Sequence, residues 1–145
     1  MSFNTTFAND LLKLILQATA IANLADNAAT SPLTSVYLAL HTADPGAAGT
    51  QSTNEISYTG YARVAVARTS GGWSISNNVA NPVANIDFGE MTAGTGGTVT
   101  HVSVGVASSG ATKILLRGTL TPNIVVANGV TPRVKTTSSL TLVTT

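Results

Sequence analysis

The chain has 145 residues, one domain's worth of length, and 43% of them are hydrophobic, which is apolar surface enough to offset chain entropy and excludes disorder. Only 9% are charged, against roughly 25% in ordinary soluble domains, and seven basic side chains nearly balance six acidic ones. Scattered as they are, these charges cannot neutralise a run of phosphates, which excludes nucleic acid as a partner; the absence of cysteine excludes disulfides, thiolate metal sites and thiol nucleophiles.

Near the N-terminus Phe7, Leu11, Leu14, Ile15 and Ala18 fall at helical spacing, with Asn4 or Thr5 as the N-cap. Leu12 and Leu16 add a second apolar edge, and a helix greasy on more than one side needs more than one neighbour. Ile21 and Leu24 either continue this helix or form a short second one, and Ser31-Pro32 stops it. The apolar stretch from Leu11 to Leu16 is interrupted by Lys13, is far too short to span a membrane, and lacks the basic flank of a signal peptide. The chain therefore reads as made and kept in the cytosol, with no membrane partner.

After Pro32 the hydrophobic period changes to two. Ser35 to His41 reads as a strand with Val36, Leu38 and Leu40 on one face, and Asp44-Pro45-Gly46 as a turn. Residues 46–60 are small and polar, the composition of a long exposed loop. Tyr61 to Arg68 reads as a strand, Gly71-Gly72 as a break, Trp73 to Ser76 as a short strand, and Val83 to Phe88 as another with Ile86 and Phe88 facing inward. The Gly94 to Gly97 loop leads into a long strand through Val106, the Ser108-Ser109-Gly110 turn into Lys113 to Leu120, and strands near 123–127, 130–135 and 138–143 complete the set. Thr121-Pro122 recurs as Thr131-Pro132 with Asn128-Gly129 between, which reads as one hairpin with prolines at the strand starts. About eight short strands with Gly, Pro or Asn turns predict an all-β fold, an antiparallel sandwich or jelly roll with an N-terminal α-helix. No linker is visible, so a single domain over 1–145 is expected, with a helical arm at 1–30 and the sandwich at 33–145.

Catalytic constellations are missing from this pattern. His41 and His101 are the only histidines, and a metal site would need both to converge with a carboxylate such as Asp44, where catalytic zinc takes three protein ligands. There is no Gly-x-Ser-x-Gly elbow, the carboxylates Asp87 and Glu90 sit beside a turn, and the glycine loop at 94–97 lacks the lysine and the helix of a phosphate cradle. A non-enzymatic protein without metal or cofactor is the expectation. Trp73 reads as core, whereas Tyr58, in the long loop, suits either a sugar-stacking surface or an interface anchor. Arg63 and Arg68 lie five apart on opposite faces of a strand; one of them is a partner for Asp87 or Glu55, and a solvated role stands against a contact with a neighbouring subunit.

The run from Tyr37 through Gly46, then Gly49-Thr50-Gln51, Glu55 and Tyr58-Thr59-Gly60-Tyr61-Ala62-Arg63, resembles a widespread family of small phage virion proteins. Thr98 to Gly105, Leu115 to Leu120 and the Trp73 segment match the family's order, so the resemblance covers nearly the whole chain. Members are labelled either tail fibre proteins or head decoration (cement) proteins, and the resemblance implies a virion subunit of jelly-roll type. The chain has neither an elongated shaft nor trimeric repeats, which favours capsid decoration: a protein assembled in the host cytoplasm that sits on the capsid surface and bridges major capsid protein subunits as a homodimer or homotrimer. The alternative is a tail fibre or tail-tip module that binds host surface glycan. The interface residues expected are Phe7, Leu11, Leu14 and Ile15 of the helix, Tyr58 and the rest of the 43–60 loop, and Arg63.

Overall fold

The computed structural model describes residues 5–21, 25 and 32–143. Asn4, Leu24 and Ser31, on which the sequence places the helix cap, its continuation and its stop, lie outside them. One helix, α1 (Thr5–Gln17), precedes nine strands: β1 (Ser35–His41), β2 (Val64–Ala67), β3 (Trp73–Ser76), β4 (Val79–Pro82), β5 (Ile86–Asp87), β6 (Gly97–Gly105), β7 (Ile114–Val126), β8 (Arg133–Val134) and β9 (Leu140–Thr141). The chain is all-β with an N-terminal helix, as its patterning predicts, and every pairing whose register is described is antiparallel. It divides into two compact units that interleave along the sequence, residues 1–35, 67–85 and 135–145 in the first and 36–66 and 86–134 in the second. The helix is thus grouped with later strands and is not an arm apart from them.

Unit 1 is built on the amphipathicity of α1. Ala8, Leu12 and Leu16, one position per turn, are fully buried, and the helix packs against β3 and β4 with Trp73 and Ala80 in the same core. Gln17 donates from Nε2 to the Trp73 carbonyl at 2.9 Å. The sheet order is β3-β4-β9, so the last strand closes on the hairpin made by the Asn77-Asn78 turn. The helix does not run on to Ile21, which forms an isolated bridge with Ala25. It stops because Ala18 turns left-handed at φ 54°, while Thr19 N–H reaches back to the Lys13 carbonyl at 3.2 Å. The free carbonyls of the last turn are taken by a side chain from far along the chain: Arg68 donates to Ile15 O and Leu14 O, both at 2.7 Å, and to Leu33 O at 2.6 Å. A guanidinium here satisfies orphan acceptors and meets the negative end of the helix dipole.

Unit 2 carries the four-stranded sheet, order β2-β1-β6-β7, and the β5–β8 ribbon. Val36, Leu38 and Leu40 alternate on β1 and are buried, as are Ile86 and Phe88 around the exposed Asp87. The two strands expected near 113–120 and 123–127 are one strand, β7, because β6 pairs with both parts across a bulge: Val99 faces Ile124 and His101 faces Thr119. Thr121-Pro122, joined by a cis peptide, sits in that bulge and not at a strand start. Pro122 lacks an N–H, and β7 is the sheet's edge, where an unmade ladder bond does no harm.

An alanine at positive φ is a steric cost that glycine does not bear. Ala18→Gly is expected to stabilise the protein by roughly 0.5–1 kcal/mol, the left-handed penalty less the added chain entropy, read as a higher urea midpoint at unchanged slope; an unchanged or lower midpoint overturns this account of the helix end.

Candidate functional site

The long segment after β1, expected to be an exposed loop, is exposed only in part, with Gln51, Ile56 and Tyr58 buried. Thr42 N–H donates to Asn54 O and Ile56 N–H to Leu40 O, so residues 54–56 lie along β1, and Glu55 bridges His41. Gln51, a residue that sequence alone leaves on the surface, is fully buried. Its Nε2 donates to Tyr37 O at 2.9 Å, and its Oε1 accepts from Thr112 Oγ1 at 3.0 Å. The amide fits only because the strand residue above it is Gly105: a Cβ there would stand 2.0 Å from Gln51 Cδ.

Arg63 holds this arrangement together. Its Nε and Nη2 donate to the two carboxylate oxygens of Glu55 at 2.7 and 2.8 Å. Nη2 also reaches Ser52 Oγ (3.1 Å) and Gly110 O (2.8 Å), and Nη1 reaches Ala107 O and Thr112 Oγ1, both at 3.2 Å. The side chain is 2% exposed, and the bidentate geometry is the strong form of this ion pair. Glu55 accepts in addition from Tyr61 Oη at 2.8 Å, while that phenol accepts from Leu40 N–H at 3.1 Å. Burial pushes the Tyr61 phenol far above its ordinary range, so it stays a neutral donor to Glu55. Its ring stacks on Phe88 and tilts against Tyr58.

A second polar group is sealed beneath the same segment. His41 and Ser103 are both fully buried. Thr53 O can only accept, so Nδ1 of His41 carries the proton toward it at 2.9 Å, and Nε2 accepts from the Ser103 hydroxyl at 2.7 Å. The pair has the spacing of a serine nucleophile and its base, but the third member is a backbone carbonyl and the hydroxyl is enclosed. Burial holds the imidazole below its ordinary value near 6.5, outweighing Thr53 O and the Glu55 carboxylate, which favour the cation. His101 points elsewhere, its Nδ1 bonded to Thr100 Oγ1 at 2.8 Å, and no group of three or more metal-ligating side chains exists among the described residues.

Two turns lie at the surface beside this network, one held by Asn54 and Arg117 and the other by Arg63, together with exposed Ser52, Asn54, Ser57, Thr59 and Gly60. Residues 42–48 expose Thr42, Ala43, Asp44, Ala47 and Ala48, with Asp44 tied to Arg117 and to Gly46 N–H. Those contacts, the backbone bond first, keep the Asp44 carboxyl below the usual carboxylate range. Residues 108–111 expose Ser108 to Ala111 on the carbonyls that Arg63 grips.

The residues expected at an interface separate into two groups. Tyr58 and Arg63 are each 8% exposed and have their polar atoms engaged inside unit 2, Tyr58 through Oη to Gly89 O at 2.8 Å; neither stands out as a surface anchor. Arg63 pairs with Glu55, one of its two expected partners, and Asp87 pairs instead with Arg133. On α1, Phe7, Leu11, Leu14 and Ile15 are half-buried, beside the fully buried edge of Ala8, Leu12 and Leu16. Gln51, Ser103 and Thr112 escape sequence reasoning, and the single trace of them is Gly105, which leaves the strand face of Val99, His101 and Ser103 without a side chain at its end.

Among known proteins, the family model described as "Podophage GP4 fiber I protein gp80" matches residues 2–142. No curated protein matches the chain. The chain belongs to that family and is a phage virion structural protein.

Two outcomes follow from the buried network. Arg63→Ala removes the ion-pair partner of Glu55, leaving it the Tyr61 hydroxyl alone, and the donor to Ala107 O, and is expected to cost about 3–5 kcal/mol in chemical denaturation, with amide exchange at residues 50–55 and 107–112 rising first; a loss below about 1 kcal/mol contradicts a central role. For His41, the unfolded chain takes up a proton more readily than the folded one, so its contribution is whole above about pH 6.5 and shrinks as pH falls below that toward the lower folded-state value. The urea midpoint should therefore drop between about pH 7.5 and pH 5.5, and His41→Gln, which keeps a donor and an acceptor, should flatten that drop. Equal slopes in the two proteins rule this linkage out.

Proposed function

We propose, on the premise of membership in this fibre-protein family, that the chain is a non-enzymatic subunit of a phage fibre that acts by binding other virion proteins. The observation that carries the reading is the family match from residue 2 to residue 142, nearly the full chain. Capsid decoration, which the absence of a shaft and of trimeric repeats favours, is the weaker reading, because a fibre assembled from separate small subunits needs no shaft within each chain. Binding as the mode of action is supported by the enclosure of Ser103 and His41, the one Ser-His pair with catalytic spacing among the described residues. It is also supported by the character of the two supported turns, whose exposed residues are almost all small and uncharged. Ala, Ser and Gly lose little or no rotamer freedom on docking, and the backbone is already ordered by Arg63 at residues 108–111 and by Asn54 and Arg117 at residues 42–48.

Quantitative mass spectrometry of purified particles, combined with immunogold labelling, tests the assignment. A fibre subunit is expected at the tail in on the order of a dozen copies or fewer per particle, as closed cyclic symmetry implies. Hundreds of copies spread over the head overturn it in favour of capsid decoration.

A further inference from the structure

Asn-Gly occurs once in the chain, at Asn128-Gly129, in the exposed turn between β7 and β8. It is the dipeptide in which a backbone nitrogen most readily attacks the preceding side-chain amide, because glycine places no side chain in the way. Here both reacting groups are held. Gly129, at φ 80°, donates its N–H to Met91 O at 2.8 Å. In the orientation of the Asn128 amide that satisfies both of its ends, the nitrogen donates to Thr92 O at 2.9 Å and to Met91 O at 3.2 Å. The turn is tied down on either side as well, by Val130 N–H to Ala127 O (2.9 Å) and Met91 N–H to Val130 O (3.0 Å).

We propose that Asn128 is a deamidation site gated by this clamp, and that its reaction converts a docked turn irreversibly into a released one. When the turn lifts from Met91 and Thr92, Gly129 N gives up its proton to solvent and bonds to Asn128 Cγ; the bond from Cγ to the amide nitrogen breaks, and the nitrogen leaves as ammonia. Water then opens the succinimide ring at one carbonyl or the other, giving aspartate or isoaspartate. The net change is one water taken up and one ammonia released, with no oxidation or reduction. Neither product fits back. Aspartate sets a carboxylate, an acceptor only, against the two carbonyl oxygens that had shared one NH2. Isoaspartate also lengthens the backbone between Ala127 and Val130, whose hydrogen bond needs the original spacing. The residues released, Met91 with its buried side chain and Thr92, belong to the segment that meets Thr59 through the isolated bridge to Ala93 and the Thr92 N–H to Thr59 O bond.

The intact protein, folded and in urea, is incubated at neutral pH, digested with trypsin, and the 118–133 peptide followed for the asparagine-to-aspartate mass gain at Asn128. The folded protein is expected to react at least about tenfold more slowly than the unfolded chain, since reaction is confined to the rare opened state. Equal rates overturn the gating. The second arm is Asn128→Asp, which should lose amide-exchange protection at Gly129 and Met91 while the centre of β6 keeps its own; unchanged protection at Gly129 overturns the release. Asn123, in the same peptide and followed by isoleucine, serves as the internal reference for unclamped, slow chemistry.

Discussion

A guanidinium taken out of water needs its charge matched and all its N–H groups received, and in unit 2 residues 51–55 and 107–112 meet that demand at Arg63. One carboxylate, two hydroxyls and two backbone carbonyls converge on it from the segment after β1 and the turn after β6. Five donors in a planar fork can bind two separate stretches of chain at once, which a lysine's single ammonium cannot do. The demand propagates outward: Glu55 is oriented partly by Tyr61, Tyr61 is fixed by Leu40 N–H, and Gln51 is admitted by the missing side chain of Gly105. Such a network is costly to leave half-made, so it favours one conformation of both turns over many.

That conformational economy bears on how a protein with so few charges binds. A surface of Ala, Ser, Thr and Gly supplies neither large anchors nor steering charge, and its strength in an assembly comes from shape and from little being left to order. The pairing of Asp44 with Arg117 and of Asp87 with Arg133 removes some of the little exposed charge from play. In unit 1, Arg68 serves the same economy by ending α1 with a side chain in place of a glycine.

The regular elements were legible because their signal is local. Period-two alternation marks Val36, Leu38 and Leu40, and the helical spacing of residues 7–16 marks α1, although which of its two apolar edges is fully buried depends on β3 and β4 and is not written in the helix. In the segment 46–60 the exposed Ala47, Ala48, Ser52, Asn54, Ser57, Thr59 and Gly60 match their composition, while the burial of Gln51 is hidden for the same reason: small polar residues look solvated unless their distant partners are known. Gln51 is buried by a glycine from another strand, His41 meets Ser103 across the sheet, and Arg63 finds half its acceptors in a turn more than forty positions away. Tyr58 and Arg63 were expected at an interface, yet both are buried with their polar atoms engaged inside unit 2, through partners that lie far along the chain.

The interleaving of the two units has a consequence for the order in which the protein is made. The last residue that unit 2 needs is Val134, whereas unit 1 draws on residues 1–35, 67–85 and 135–145, including β9. During synthesis the β3–β4 hairpin carries an unpaired β4 edge until the strand beyond Lys135 arrives to pair with Val79 and Ala80. The completion of unit 1 is therefore a signal that translation has passed residue 141, and a nascent or truncated chain lacking that strand carries an unfinished sheet edge open to pairing with other chains.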